Sequence, residues 1–212
     1  MALRATSRFF SSHIEAYMTS ASKDVAIPPW FARLTGELDA ADARATALVS
    51  RLTAEELNWK PDARSWSVGQ CLEHLCLSNE VYVLPMSEAL ATAPRGVAET
   101  ITPGWFARWF IRSYIDPATQ KKRARAPRKA SPVSSRLDLS IGKRFTASND
   151  AVRAVMARAR EIDVNDVRFR NPYVPVIRFT IGSGLLIVAR HNHRHLAQAE
   201  RVMQLPQFPN RR

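Results

Sequence analysis

The stretch Arg190-His191-Asn192-His193-Arg194-His195-Leu196-Ala197-Gln198 concentrates the unusual chemistry of this chain. Of 5 histidines in 212 residues, three fall within five consecutive positions. If the stretch is helical, His191 and His195 stand about 40° apart around the helix, so both imidazoles reach one point in space. His193 projects about 160° away and is expected at the surface. The face that carries the pair continues through Gly184, Val188, Gln198 and Val202. A small and apolar stripe of this kind packs against neighbouring helices, so the pair points inward.

Two inward histidines admit two readings: core side chains hydrogen-bonded to their neighbours, or two ligands of one ion. A third ligand would separate them, because three protein ligands and an open position are what a catalytic zinc-like centre needs. Of the other two histidines, His13 lies in an expected tail segment and His74 in another strongly patterned helix.

Working outward, apolar residues recur at three- and four-residue steps in Leu34, Leu38, Ala41, Ala45, Leu48 and Leu52. This predicts a first amphipathic helix about 20 residues long, with Pro29 or Trp30 in its opening turn. Thr53 with Glu56 forms a capping-box pattern for a short turn that Lys60-Pro61 ends. Ser67 with Gln70 repeats the pattern and starts a second long helix. His74 lies two turns into it, on a mixed face with Cys71, Ser78 and Val81. A third helix is expected over residues 139–160, with Ile141, Phe145, Val152 and Val155 inward. Residues 163–175, with Pro172 and Pro175, make a connector, and a last helix runs over residues 180–204, about 36 Å long.

Between the second and third helices the pattern breaks. Pro94, Gly96, Pro103, Pro117, Pro127 and Pro132 exclude a long helix over residues 91–135. Only a short aromatic and basic helix, from Gly104 through Trp105, Phe106, Trp109 and Phe110, is expected within it. A connection of about forty residues is too long for a tight turn and suits a crossover to the other end of a bundle.

Composition bounds the rest. A chain with 46% hydrophobic residues buries one core, and only 7 glycines favour a mainly helical fold. No window approaches eighteen uninterrupted apolar residues, so no transmembrane segment is expected. The 2 cysteines, Cys71 and Cys76, do not face each other on a helix, which fits a reducing, cytoplasmic setting without disulfides. Residues 1–20, with Arg4 and Arg8 beside Phe9 and Phe10, are expected to form a disordered extension, Met18 being an alternative start, and residues 21–212 one domain. The formal net charge is +12, and nine of those charges fall within residues 108–144. Such a basic region is open to phosphates or an anionic membrane surface, with Lys121, Lys122, Arg123 and Arg125 as candidate anion ligands. It carries no recognition-helix or stacking-sheet motif, so nucleic-acid binding is not expected.

Trp59-Lys60-Pro61, Trp66-Ser67-Val68-Gly69-Gln70, Glu73-His74-Leu75 and the His191–His195 pair followed by Gln198 together resemble the DinB/YfiT-like superfamily of metal-binding four-helix bundles. The similarity extends from about Phe31 to Val202. It implies an all-α, up-down-down-up four-helix bundle, in agreement with the long crossover between the second and third helices. It also implies a divalent metal, usually zinc or nickel, held by His74, His191 and His195. The activities it implies are those of thiol-dependent S-transferases and isomerases that use low-molecular-weight thiols.

Three neutral imidazoles leave an ion its charge and at least one position for water or a thiolate. The expectation is thus a metal-dependent enzyme that activates a thiol or water against a small, anionic substrate. The alternatives are a structural metal or histidine site, and binding without chemistry through the basic crossover. Gln198, Cys71 and Glu80 are candidates to support the ligands from behind, whereas Glu73 and Glu200 are expected to face solvent. A two-fold homodimer is the default oligomer.

Overall fold

The structure is a computed structural model that describes residues 27–119 and 126–209. It is mostly helical, with one small two-stranded sheet. The expected extension over residues 1–20 lies outside the described residues, as do Lys121, Lys122, Arg123 and Arg125.

The first helix, α1, spans Pro29–Val49, with proline in its first turn where the missing N–H costs nothing. Its buried residues are Trp30, Leu34, Leu38, Ala41, Ala45 and Leu48, the periodic set of the sequence. A short helix α2, Ala54–Asn58, is closed by the Thr53/Glu56 capping box. The second long helix, α3, spans Val68–Ala91 behind a full Ser67/Gln70 capping box. The crossover holds a short helix α4, Trp105–Phe110, continued by a π-helical turn over Ile111–Ile115, and later a 3-10 turn over Arg128–Ala130. The third long helix, α5, spans Ile141–Ala159. The last, α6, spans Ile181–Met203, and the Thr180 side chain accepts from the Ser183 N–H at its start.

The connector before α6 is where the structure departs from a plain loop. Strand β1, Arg168–Arg170, pairs antiparallel with β2, Arg178–Thr180, and sets Phe169 opposite Phe179. Both rings are 3% exposed. The two prolines sit in the link between the strands, where no ladder hydrogen bond is needed.

Helix α3 packs against α5 and α6, and α1 packs against the same two helices. The apolar core falls into two clusters. One gathers Leu34, Leu38, Tyr82, Met86, Val152, Phe169 and Leu185; the other gathers Ala41, Ala45, Leu72, Leu75, Phe145 and Leu196. Along α3, α5 and α6 buried polar side chains fall between the two: Ser78 and Asn79, Ser148 and Asn149, Asn192. The three inward histidines are on α3 and α6 beside this layer. Among the described residues no helix is long and apolar enough to cross a membrane.

Candidate metal centre

The capping box at Ser67 fixes where α3 begins, and two turns later His74 projects to meet α6. There it finds His191 and His195, one turn apart. The ring centroids are 4.9 Å apart for His74 and His191, and 4.5 Å for each of the other two pairs. The three rings form a nearly equilateral triangle, and one nitrogen from each lies within 4.8 Å of the others. His74 and His195 are buried, and His191 is partly buried.

Two neighbours decide which nitrogens face the centre of the triangle. His74 Nδ1 lies 2.6 Å from the carbonyl oxygen of Ala130 in the 3-10 turn. A carbonyl only accepts, so the proton of His74 sits on Nδ1, and Nε2 keeps its lone pair. That Nε2 is 3.3 Å from His191 Nε2. His195 Nδ1 in turn donates to Gln198 Oε1 at 2.9 Å, which leaves its Nε2 as the unprotonated nitrogen. Burial pushes the basicity of all three rings down, and for His191 and His195 well below the ordinary histidine range. For those two, the charge that a neighbouring histidine would carry adds to the effect. At neutral pH the cluster is therefore three neutral imidazoles, two of them, His74 and His195, with the lone pair held on Nε2. Trp66 covers it, with its ring centroid 4.8 Å from His74 and 5.8 Å from His195.

The triangle opens into a cavity of about 260 Å³. Phe106, Phe110 and Tyr114 from the crossover wall one side, and Tyr173, Ile177 and Phe179 from the hairpin wall another. Phe179 binds the two walls together, with ring centroids 6.1 Å from Phe106 and 5.7 Å from Phe110. Arg194 lines the same cavity from α6.

The other side chains that the sequence singled out sort themselves by their contacts. Gln198 meets His195 as described. Cys71 is fully buried in the apolar cluster around Leu72 and Leu75, and burial pushes its thiol up to about 12. Glu80 does not reach the histidines: its carboxylate pairs with Arg144 at 3.2 Å and is half exposed. Glu200 pairs with Arg44 at 2.8 Å near the surface. His193 is turned away from the cluster, and its Nδ1 lies 3.1 Å from Arg44 Nη1.

Glu73 corrects the expectation of a solvent-facing carboxylate, being only 2% exposed. It accepts from the Ser134 hydroxyl at 2.5 Å and from the Ser134 N–H at 3.3 Å. Together with the His74–Ala130 bond it straps the crossover onto α3. The cavity walls were missed as well. The aromatic helix of the crossover is visible in the sequence, but nothing local says that one side of it turns towards the histidines.

No curated protein and no solved structure matches this chain. A family model does, that of the DinB superfamily, over residues 37–199. The match takes in the three histidines, the capped start of α3 and the crossover, and on that extent the chain belongs to the DinB superfamily.

Proposed function

We propose that His74, His191 and His195 hold one divalent metal ion with an open position, and that the protein is a metal-dependent enzyme for small molecules. The observation that carries the reading is the 3.3 Å between the Nε2 atoms of His74 and His191. Two imidazoles on a tetrahedral ion at 2.0–2.1 Å stand about 3.3 Å apart. The acceptors on the far sides of His74 and His195 supply the orientation that metal-bound histidines need. Zinc and nickel are the ions we favour, in keeping with the family.

A bound ion of this kind would acidify a coordinated thiol or water at neutral pH. Of the two we favour a low-molecular-weight thiol, as in an S-transferase or isomerase. No carboxylate lines the cavity among the described residues to serve as a general base for water, and Glu73 is engaged with Ser134. The protein's own side chains then have three tasks. Ala130 and Gln198 hold the imidazole protons away from the centre, Trp66 shields it from bulk water, and the aromatic walls receive the electrophile. We also propose an up-down-down-up bundle for the four long helices, which the long crossover and the packing of α1 and α3 against both α5 and α6 support.

Elemental mass spectrometry on purified, tag-free protein tests the metal. About one equivalent in wild type, lost in His74→Ala and His195→Ala, is expected. No metal in wild type, even after incubation with zinc or nickel, would leave the histidines a structural role.

A second reading rests on the outer face of α4 and the turn that follows. Trp105 is 79% exposed and Trp109 43%, and Arg108 and Arg112 are exposed on the same side. Tryptophan and arginine on one helical face suit the boundary of an anionic bilayer. Co-sedimentation with phosphatidylglycerol vesicles at low salt, abolished in Arg108→Glu/Arg112→Glu, is the expected sign. Protein that stays in the supernatant under those conditions removes this reading.

A further inference from the structure

We propose that the cavity beside the three histidines takes an amphipathic organic anion, an aromatic or branched hydrocarbon body bearing one carboxylate, and that Arg194 holds that carboxylate. The inference rests on the reading of this cavity as the working site and names the class of ligand it receives.

Arg194 is three residues beyond His191 and next to His195, so α6 presents it beside the imidazoles, about 60° around the axis from His191. It lines the cavity. Every other side chain lining that space is aromatic, aliphatic, uncharged and polar, or one of the three histidines. Arg194 is therefore the one permanent charge facing the cavity among the described residues. It also lacks a counter-charge there, since none of the ion pairs among them involves it. Its guanidinium donates to the carbonyl oxygen of Tyr114. One such bond uses one of five N–H donors and leaves the charge uncompensated.

A partly buried cation without an anion is costly, and the surroundings make it more so. Arg194 is itself partly buried, and Arg201, two turns further along the same face of α6, adds a second positive charge. A ligand carboxylate would relieve both, through the paired N–H bonds that only a planar guanidinium offers. A phosphate dianion fits less well, because no second cation lines the space among the described residues. The remaining walls, Phe106, Phe110, Tyr173 and Phe179 among them, set the body of the ligand: a hydrocarbon that covers aromatic rings.

The test is calorimetric titration of zinc-loaded full-length protein with 2-naphthylacetate and with its neutral amide, 2-naphthylacetamide. Wild type is expected to bind the acid about tenfold tighter or more, the scale of one charge-assisted hydrogen-bonded pair. Arg194→Gln should bring the ratio to about one, with zinc content and amide affinity unchanged, and Arg194→Lys should restore part of it. Wild type that binds both probes equally, or neither, overturns the proposal. So does an Arg194→Gln variant that keeps the preference, because the anion would then be read by the histidine centre. An Arg194→Gln variant that loses the amide as well assigns Arg194 to holding Tyr114 and overturns it too. Zinc content, measured on the same samples, keeps the two readings apart. Preference for the acid in protein that takes up no zinc sinks the metal reading alone; a full zinc site without preference sinks this one alone.

Discussion

Gln198 owes its importance to the nitrogen of His195 that it occupies. By accepting from Nδ1 it leaves the other nitrogen as the donor atom for the proposed ion and fixes the ring plane. Gln198→Leu keeps the volume and removes the acceptor. We expect zinc affinity to fall about 10- to 100-fold with little change in melting temperature, the usual size of losing such an outer contact. Competition with a chromophoric chelator reads it, and unchanged affinity would assign Gln198 to packing. The cysteines make a second prediction. Burial pushes the thiols of both Cys71 and Cys76 up to about 12, so neither is a nucleophile and any reacting thiol comes from outside. Neither should react with a disulfide reagent at pH 8 in the native protein, and both should react in guanidinium. The linkage sign follows: above about pH 9 the unfolded chain releases thiol protons that the folded one retains, so these groups make stability fall as pH rises towards 12. Denaturation midpoints at pH 8 and pH 10 should show the decline, and Cys71→Ala/Cys76→Ala should reduce it. The histidine cluster was legible because His191 and His195 are rare residues at helical spacing, while His74 entered through the family resemblance. Glu73 was not, since its burial depends on Ser134, 61 residues away in the crossover.

At the scale of the element, the capping boxes at Thr53 and Ser67 made helix starts readable to the residue, because a cap is local chemistry. The hairpin was not readable. Its strands are three residues each, too short for an alternating pattern to emerge, and their pairing exists because Phe169 and Phe179 are covered by α3, α4 and α6. Gly184 shows how close that cover is. A Cβ there would stand 2.6 Å from Phe169 Cε1 and 3.0 Å from Met86 Sδ. Alanine usually gains about 1 kcal/mol over glycine in a helix. Here the ring must move against a packed core, at about 1–3 kcal/mol. Gly184→Ala should therefore fail to stabilise and should displace β1. Urea denaturation checks the first, and a shift in the Phe169 ring resonances the second. A gain of the full alanine increment would mean that β1 sits loosely on α6.

At the scale of the whole molecule, one buried polar layer ties the four long helices beside the histidines. Asn149 Oδ1 accepts from Asn79 Nδ2 at 2.9 Å and from Asn192 Nδ2 at 2.8 Å. Its own Nδ2 donates to Asp42 Oδ1 at 2.6 Å, and Arg153 closes the chain on Asp42 Oδ2 at 2.7 Å. The layer thus joins α1, α3, α5 and α6 through one side chain that is fully buried. Asn192 follows His191 directly, so the layer meets α6 next to a proposed ligand. Such a layer is invisible to periodicity, which finds apolar stripes and passes over the polar residue that interrupts them. Asn149→Ala would leave the Asn192 amide and one Asp42 oxygen without partners, while Asn79 retains Ser148 and Asp42 retains Arg153. Two orphaned groups, the Asn192 amide buried and the Asp42 oxygen partly buried, at about 1–3 kcal/mol each predict a loss of about 2–6 kcal/mol, a large part of the stability of an ordinary domain. Asp42→Asn should cost less, because Asn192 keeps its acceptor. If the layer fixes the register of α6, zinc affinity should fall in Asn149→Ala by more than in a core variant of equal instability such as Leu72→Ala. Equal affinities in the two variants would show that the histidines are held by their own contacts with Ala130 and Gln198, and that the polar layer serves folding alone.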